Sequence, residues 1–290
     1  MHKVLAEIIA GVIPVKMERN RWRGVLRYGA VRALKLKLRM KRDKSVPENY
    51  LAVCAIAKNE GPYFKEWIEW HLKQGVEKFY IYDNESSDNT KDVLAPYIDS
   101  GVVEYTYFPG RKRQLAAYDD CFERHRLDTR WIAVIDLDEF LVPVKDCSVK
   151  DFLEGMEGCA SVEINWPIYG SGGAKEKTEG DVMQRFKKHA RYDHPLNCWV
   201  KSIIDPRQVC CMIGSHEAAR ISGKSVDPKC QVITTHFRNR PSQHDVIKIN
   251  HYAVKSYEEF LGKRARGRAR VNTIRDMGYF DNYDLNDMED

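Results

Sequence analysis

The sequence predicts an α/β protein built on a parallel sheet, and three observations carry that prediction. From Tyr50 onward, apolar runs of strand length alternate with segments of helical periodicity. The runs are continuous rather than alternating, as in strands covered on both faces. Successive runs end in polar clusters, at residues 58–60, 83–87 and 136–139. Ligands bind beyond the carboxyl ends of the strands in such sheets.

The elements follow in order. Residues 51–57 form the first strand and end in the loop Lys58, Asn59, Glu60, Gly61. Pro62 suits a first helical position, and Phe64, Trp67, Ile68 and Leu72 recur at helical spacing until Gly75 closes the helix. The second strand, 78–83, runs into Asp83, Asn84, Glu85 and Ser86. Asp88 or Asn89 then caps a helix carrying Val93, Leu94 and Ile98. A third strand covers 102–108, Pro109 and Gly110 turn the chain, and a helix over 114–126 leads to the run that begins at Trp131. That run places Asp136 and Asp138 at its tip. Residues i and i+2 of a strand point the same way, so the two carboxylates are expected to face one pocket and share a divalent cation. Oxygen ligands suit Mg²⁺ or Mn²⁺, which complete their coordination with substrate phosphates. An isolated Asp-x-Asp equally fits a solvated turn; its place after a buried strand makes it informative.

Composition sets the frame. The chain has 290 residues, 43% hydrophobic and 31% charged, which is ordinary for a globular protein. Residues 1–50 hold 13 Lys/Arg against 4 Asp/Glu and carry +9, whereas the remaining 240 hold 34 against 38 and carry −4. The basic character therefore belongs to an N-terminal arm, residues 1–49. Within it Val4, Leu5, Ile8, Ile9, Val12 and Ile13 form an apolar stripe too short to span a bilayer, and no signal-peptide cleavage site follows. A basic, amphipathic stretch comes next, with Trp22, Val31, Leu34 and Leu38 set among arginines and lysines. Such an arm is expected to make peripheral contact with an anionic membrane face; a helix packed on the domain is the alternative. Nucleic acid is not expected, because stacking aromatics are sparse in the arm. The eight cysteines form no Cys-x-x-Cys pair and read as reduced core thiols of a cytosolic protein. The folded domain is expected over 50–280, with a solvated acidic tail at 281–290.

At this point the chain resembles a known family. Ala57-Lys58-Asn59-Glu60, then Glu66-Trp67-x-x-x-His71, Tyr82-Asp83-Asn84-x-Ser86-x-Asp88, Gln114-x-x-x-Tyr118-x-Asp120-Cys121 and Trp131 through Phe140 look like the pattern of glycosyltransferase family 92 and its bacterial family 2-like relatives. Tyr169-Gly170-Ser171-x-Gly173, Arg185-Phe186, Lys201-Ser202-Ile203 and His251-Tyr252-x-x-x-Ser256-x-x-x-Phe260-x-x-Lys263 continue it, so the likeness covers roughly 51 to 268. The resemblance implies a GT-A-like, Rossmann-type fold with a mixed, mostly parallel sheet. It also implies a nucleotide-sugar donor such as a UDP-hexose, a divalent cation, and inversion at the anomeric carbon.

Carried onto this sequence, the resemblance gives Lys58, Asn59, Glu60, Asp83 and Asn84 the base and ribose. It gives Asp138 the metal, and Asp136 the ribose or the metal. His251 is the first candidate for a further metal ligand and His216 the second. Arg113, Lys201, Lys263 and Arg266 are candidate diphosphate partners. Inversion needs a base for the acceptor hydroxyl; Glu217, Glu163 and Asp193 lie in the segment that supplies it, with Glu217 preferred. Glu139 is expected to orient the loop or contact the sugar. Trp166, Trp199 and the glycines 170, 172 and 173 suggest an acceptor wall and a mobile flap. The expected function is metal-dependent transfer of galactose or glucose to a glycan or glycolipid hydroxyl at the cytoplasmic face of the membrane. In a bacterium this would serve lipopolysaccharide or capsule synthesis. Two rivals remain open. A nucleotidyl- or phosphotransferase would carry a phosphate-cradling Gly-rich loop, which is missing after the first strand; a non-catalytic glycan- or membrane-binding module would not need Asp136, Asp138 and His251 intact.

Overall fold

The computed structural model of the chain describes residues 11, 13, 16–234, 238–267 and 274–290. The arm's Val4, Leu5, Ile8, Ile9 and Val12 lie outside the described residues, as do residues 268–273. The strands are β1 (Asn49–Ala57), β2 (Lys78–Asp83), β3 (Val103–Tyr107), β4 (Thr129–Val134), β5 (Glu139–Pro143), β6 (Ser161–Asn165), β7 (Lys188–His189), β8 (Val200–Ile204), β9 (Val209–Gly214), β10 (Glu217–Arg220), β11 (Ser225–Val226), β12 (Ile247–His251) and β13 (Met288–Glu289). Seven of them form one sheet in the order β11, β6, β8, β4, β1, β2, β3. β4, β1, β2 and β3 run parallel, and β8 is inserted antiparallel between β4 and β6. The α/β class is as the strand and helix pattern predicts, and the mixed, mostly parallel sheet is as the resemblance implies.

The continuous apolar runs are explained by two cores. Val53 and Ala55 of β1 face Phe64, Trp67 and Ile68 of the helix α3 (Gly61–Lys73). Ala52 and Cys54 face the other way, toward Ala117, Tyr118, Cys121 and Phe122 of the helix α5 (Gln114–His125). With period-2 geometry, a strand covered on both sides must be apolar at every position. Each large side chain fully buried here contributes about 1.5–3 kcal/mol. Between α3 and α5, the helix α4 (Thr90–Asp99) starts where Asp88 Oδ1 accepts the Thr90 N–H at 3.1 Å. The cap side chain is thus Asp88 and not Asn89.

Two peripheral segments differ from expectation. Part of the arm belongs to the fold: the helix α1 (Lys16–Tyr28) lies on the β9–β10 hairpin, where Val25 joins Cys210, Cys211, Ala219 and Ile221 in a third core. Gly24 permits the approach, since a Cβ there would stand 2.6 Å from the Ala219 Cβ. Arg21 Nε donates to the Arg220 carbonyl at 2.9 Å, and Arg220 pairs with Glu18. The following helix α2 (Ala30–Arg42) buries Ala33 but leaves Val31, Leu34 and Leu38 exposed. Among the described residues no helix is long and apolar enough to cross a membrane.

The acidic tail is a bound strap and not a solvated end. Asp284 Oδ1 accepts the Ser171 N–H at 2.6 Å and Asn286 Oδ1 the Gly172 N–H at 2.7 Å. Gly170 makes room, because a Cβ there would lie 2.5 Å from the Leu285 carbonyl oxygen. β13 then pairs antiparallel with β7. The glycine-rich segment expected to be a mobile flap is held down by these bonds. Its backbone N–H groups need acceptors, and the tail's carboxylate and amide oxygens supply them.

Candidate active site

β4 stops at Val134, and residues 136–139 form a turn in which the Glu139 N–H donates to the Asp136 carbonyl at 3.1 Å. The i, i+2 rule for strands therefore does not place Asp136 and Asp138, which reach different partners. Asp136 Oδ2 accepts from Lys201 Nζ at 2.7 Å. Its Oδ1 accepts from Gln114 Nε2 at 3.2 Å and the Tyr118 hydroxyl at 3.3 Å. Asp138 Oδ2 pairs with Lys263 and lies 3.8 Å from His251 Nε2. Glu139 fixes the turn from within: its Oε2 accepts the Asp136 N–H at 2.9 Å and lies 3.1 Å from Lys201 Nζ. The expectation that Glu139 orients the loop holds.

Topology explains why residues so far apart in sequence meet here. β8 runs antiparallel to β4 with Ser202 opposite Val134, so Lys201 starts at the edge where β4 ends. β12 pairs with β5 in the register His251 opposite Glu139, which delivers the imidazole. Lys263 comes from the helix α8 (Tyr257–Ala265); α6 (Val149–Glu154) and α7 (Val182–Arg185) precede it. A capping box of Ser256 and Glu259 fixes the start of α8, and Glu259 also binds Arg185 at 2.8 Å and the Tyr63 hydroxyl at 2.9 Å. Gln114 and Tyr118 stand i, i+4 on α5 and so share one face.

The electrostatics follow from burial and pairing. Burial opposes the charge on Lys201, but Asp136 and Glu139 outweigh it and hold the ammonium above the ordinary lysine value. Burial pushes Glu139 up to about 8 against the pull of Lys201. Burial would raise Asp136 and Asp138 as well; Lys201 offsets it for the first, and Lys263 with His251 for the second, so both stay below the usual carboxylate range. Lys263 is pushed down to about 8 by burial, with Asp138 pulling the other way. Burial also lowers His251 and so favours the neutral imidazole, with Asp138 pulling the other way. Asp136 keeps 35% of its side chain exposed, against 9% for Asp138 and 1% for Lys201. Solvent therefore reaches the cluster from the Asp136 side.

The nucleotide-side candidates lie at the same edge but hold one another. Asn59, at φ 53°, donates its N–H to Ser86 Oγ at 2.9 Å, and its Oδ1 accepts the Ser87 N–H at 2.7 Å. Arg266 donates to the Asn59 carbonyl at 3.1 Å and pairs with Glu60. Asp83 accepts from the Tyr105 hydroxyl at 2.6 Å and the Ser86 N–H at 2.9 Å, while Asn84 Nδ2 donates to the Phe108 and Gly110 carbonyls. Arg113 lies over the Phe108 ring at 4.0 Å. Lys58 is half-buried at the end of β1. These residues tie the loops after β1, β2 and β3 to one another.

The expected bases separate. Glu163 is buried in β6, where Ser161 and Ser202 hydroxyls donate to its two oxygens. Asp193 is 72% exposed and engaged by Arg191 at 2.9 Å. Neither is presented to an acceptor at the cluster. Glu217 is buried at the start of β10, next to His216. His216 Nδ1 donates to the Val200 carbonyl at 2.8 Å, and its ring lies 5.5 Å from Trp166 and 5.4 Å from Trp199. Trp166 in turn lies 4.3 Å from the His251 ring. The tryptophans expected as an acceptor wall thus border the cluster. Gln114 and Tyr118 were not expected as site residues; a polar pair at i, i+4 on a helix entering the Asp-x-Asp strand is the signal that marks them.

Comparison with known proteins adds an independent line. The family profile of glycosyltransferase family 92 matches residues 50–280. A beta-1,4-galactosyltransferase of Caenorhabditis elegans, galt-1, is 25% identical over 255 residues, covering 80% of this chain and 56% of that protein. The galactan beta-1,4-galactosyltransferase GALS3 of Arabidopsis thaliana is 29% identical over 32% of this chain and 20% of its own length. A family-92 protein of Ricinus communis is 28% identical over 43% of this chain and 24% of its own length. The chain thus spans about half the nematode relative or less than a quarter of the plant ones. Among solved structures, Staphylococcus aureus TarS 1-349 in complex with UDP is similar over 54% of this chain and 47% of that one, with a TM-score of 0.37 and 13% identity.

Proposed function

The chain belongs to glycosyltransferase family 92, and from that premise we propose that it transfers a hexose, galactose first, from a UDP-sugar to a glycan hydroxyl at the Asp136–Asp138 cluster. One observation carries the placement: two lysines, two aspartates and a histidine from four different segments converge at the carboxyl edge of the parallel strands. Lys201 and Lys263 supply fixed positive charge where a departing diphosphate develops negative charge. Gln114 and Tyr118 orient Asp136, and Glu139 holds the turn. Galactose is the preferred sugar because two relatives are galactosyltransferases by name.

A divalent cation fits part of this site. Asp138 Oδ2 and the His251 imidazole nitrogen, 3.8 Å apart, are an oxygen and a neutral nitrogen donor of the kinds Mn²⁺ accepts. Among the described residues no group of three His, Cys, Asp or Glu side chains forms a ready metal cage. Diphosphate oxygens and water would have to complete the shell, as is usual for such ions. Asp138 and His251 would hold the ion, with Lys263 sharing the same carboxylate; when bound, the ion would neutralise the leaving diphosphate. For inversion, Glu217 is the proposed base, since its neighbour His216 lies on the tryptophan wall. Contact with an anionic membrane through the exposed face of α2, on the cytoplasmic side, completes the proposal. The relatives found by sequence are plant and nematode proteins, so the lipopolysaccharide or capsule assignment rests on the arm alone.

The test is donor turnover by the full chain with a panel of nucleotide sugars, with and without Mn²⁺ or Mg²⁺. Release of UDP from one sugar, reduced about a hundredfold or more in Asp138→Asn, is the expected result. Turnover unchanged in that variant would remove the cluster from the mechanism. Cation dependence in the native chain decides the metal.

A further inference from the structure

The β5–β12 ribbon has two faces. His251 and Glu139 stand opposite each other on the one that meets the cluster; Lys248 and Asn250, at alternate positions, belong to the other. There a cavity of about 230 Å³ is lined by Tyr169, Lys187, Lys248, Asn250, Tyr252 and the strap residue Asp290, among others. None of these polar groups takes part in the chemistry proposed above.

The Asp290 carboxylate sits in this cavity as an anion held by built-in donors. Its Oδ2 accepts from Lys248 Nζ at 3.0 Å and from the Tyr169 hydroxyl, and its Oδ1 lies 3.2 Å from His189 Nε2. Lys248 is 7% exposed and Tyr169 1%, so two buried donors converge on one carboxylate, while His189, fully buried, donates from Nδ1 to the Ala190 carbonyl at 2.7 Å. Lys248 Nζ also reaches the Tyr192 hydroxyl at 3.2 Å, which keeps the ammonium in place. Beside it Asn250, 4% exposed, has an Oδ1 with no hydrogen-bond partner, although its Nδ2 donates to the Tyr252 hydroxyl at 3.4 Å. A buried amide oxygen left unpaired is costly and is suited to accept an O–H. The Tyr169 and Tyr252 rings, with centroids 4.7 Å apart, supply an apolar wall.

We propose that this cavity is a binding site for a carboxylate-bearing sugar, a hexuronate unit, which takes the place that Asp290 holds. The carboxylate follows from Lys248 and Tyr169; the hydroxyls follow from the unpaired Asn250 oxygen, and the ring face from the two tyrosines. That the occupant is a sugar rests on the family assignment, whereas the anion site does not. A neutral hexose would leave Lys248 without an anion. Inorganic phosphate would meet the charge but leave Asn250 unpaired. Asp290 competes from within the same chain, at the high effective concentration of a tethered group, so the site opens fully only when the strap releases it.

Calorimetric titration of the full chain with glucuronate, galacturonate, galactose and inorganic phosphate tests this. One hexuronate is expected to bind Asp290→Ala about tenfold more tightly than the native chain, and galactose to bind neither. Adding Lys248→Met to Asp290→Ala should abolish hexuronate binding, and adding Asn250→Leu should weaken hexuronate but not phosphate. Thermal melting confirms that each variant is folded. Equal hexuronate affinity with and without Asp290, undiminished binding in the Lys248→Met double variant, or no hexuronate binding by folded Asp290→Ala overturns the proposal. Phosphate binding as tight as hexuronate would make this a general anion site and overturn the sugar assignment. UDP-sugar turnover measured on the native preparation separates the two proposals: loss of that activity speaks against the transferase mechanism, and loss of hexuronate binding alone against this site.

Discussion

His71, a residue of the family-like pattern, turns out to have a purely internal task. Its Nε2 accepts the Leu141 N–H at 3.2 Å, so the proton resides on Nδ1, which donates to the Trp67 carbonyl at 2.8 Å. That neutral ring ties α3 to β5, the strand that begins at Glu139. Burial pushes its pKa down to about 4 from an ordinary value near 6.5. Between those two values the unfolded chain binds a proton that the folded chain refuses. The stabilisation is therefore complete above pH 6.5 and is lost as pH falls toward 4, with a size of roughly 3 kcal/mol. Urea unfolding at pH 7 and pH 4.5 should show a smaller loss of stability in His71→Gln than in the native chain. Equal losses would mean that other groups dominate the acid limb. Asp138 gives a different lesson at this scale: Lys263 compensates its buried charge, while His251 on the same oxygen is the neighbour that would join it in holding an ion.

At the scale of elements, the arm divides by function. α1 is amphipathic because one face packs on β9 and β10, where Val25 and Gly24 meet the hairpin. α2 is amphipathic too, but Val31, Leu34 and Leu38 are 68%, 57% and 46% exposed with Lys35, Arg39 and Arg42 beside them. The periodicity of the two helices is the same in sequence; only the packing tells which stripe is already covered. Each lysine or arginine near an anionic bilayer contributes about 1 kcal/mol, and the apolar stripe adds burial in the interface. The full chain should pellet with phosphatidylserine-containing vesicles and be released by raised salt. The double variant Leu34→Glu, Leu38→Glu should remain in the supernatant with its melting temperature unchanged, because neither side chain belongs to the packed core. Co-sedimentation of that variant with the vesicles would remove α2 from the membrane proposal.

For the whole molecule, Lys201 joins the two halves of the sheet: it leaves β8 on the antiparallel side and reaches the turn after β4 on the parallel side. Lys201→Met strips Asp136 and Glu139 of their buried counter-ion, and breaking such a pair from one side costs about 3–5 kcal/mol. Chemical denaturation is expected to show a loss of that size; a change below about 1 kcal/mol would mean the cluster is solvated. The sequence by itself determined the parallel half of the fold, because strands covered on both faces and the amphipathic helices between them are local patterns. It also pointed to the edge at which the chemistry is proposed, since the polar clusters follow the strands directly. Tertiary structure alone decided the rest. It gave Asp136 and Asp138 different partners, brought Lys201, His251 and Lys263 to them, and set Glu163 and Asp193 aside. It also bound the acidic tail over the glycine-rich loop. Those outcomes depend on an antiparallel strand inserted late, a two-stranded ribbon in a specific register and backbone donors seeking acceptors, none of which leaves a periodic trace in the sequence.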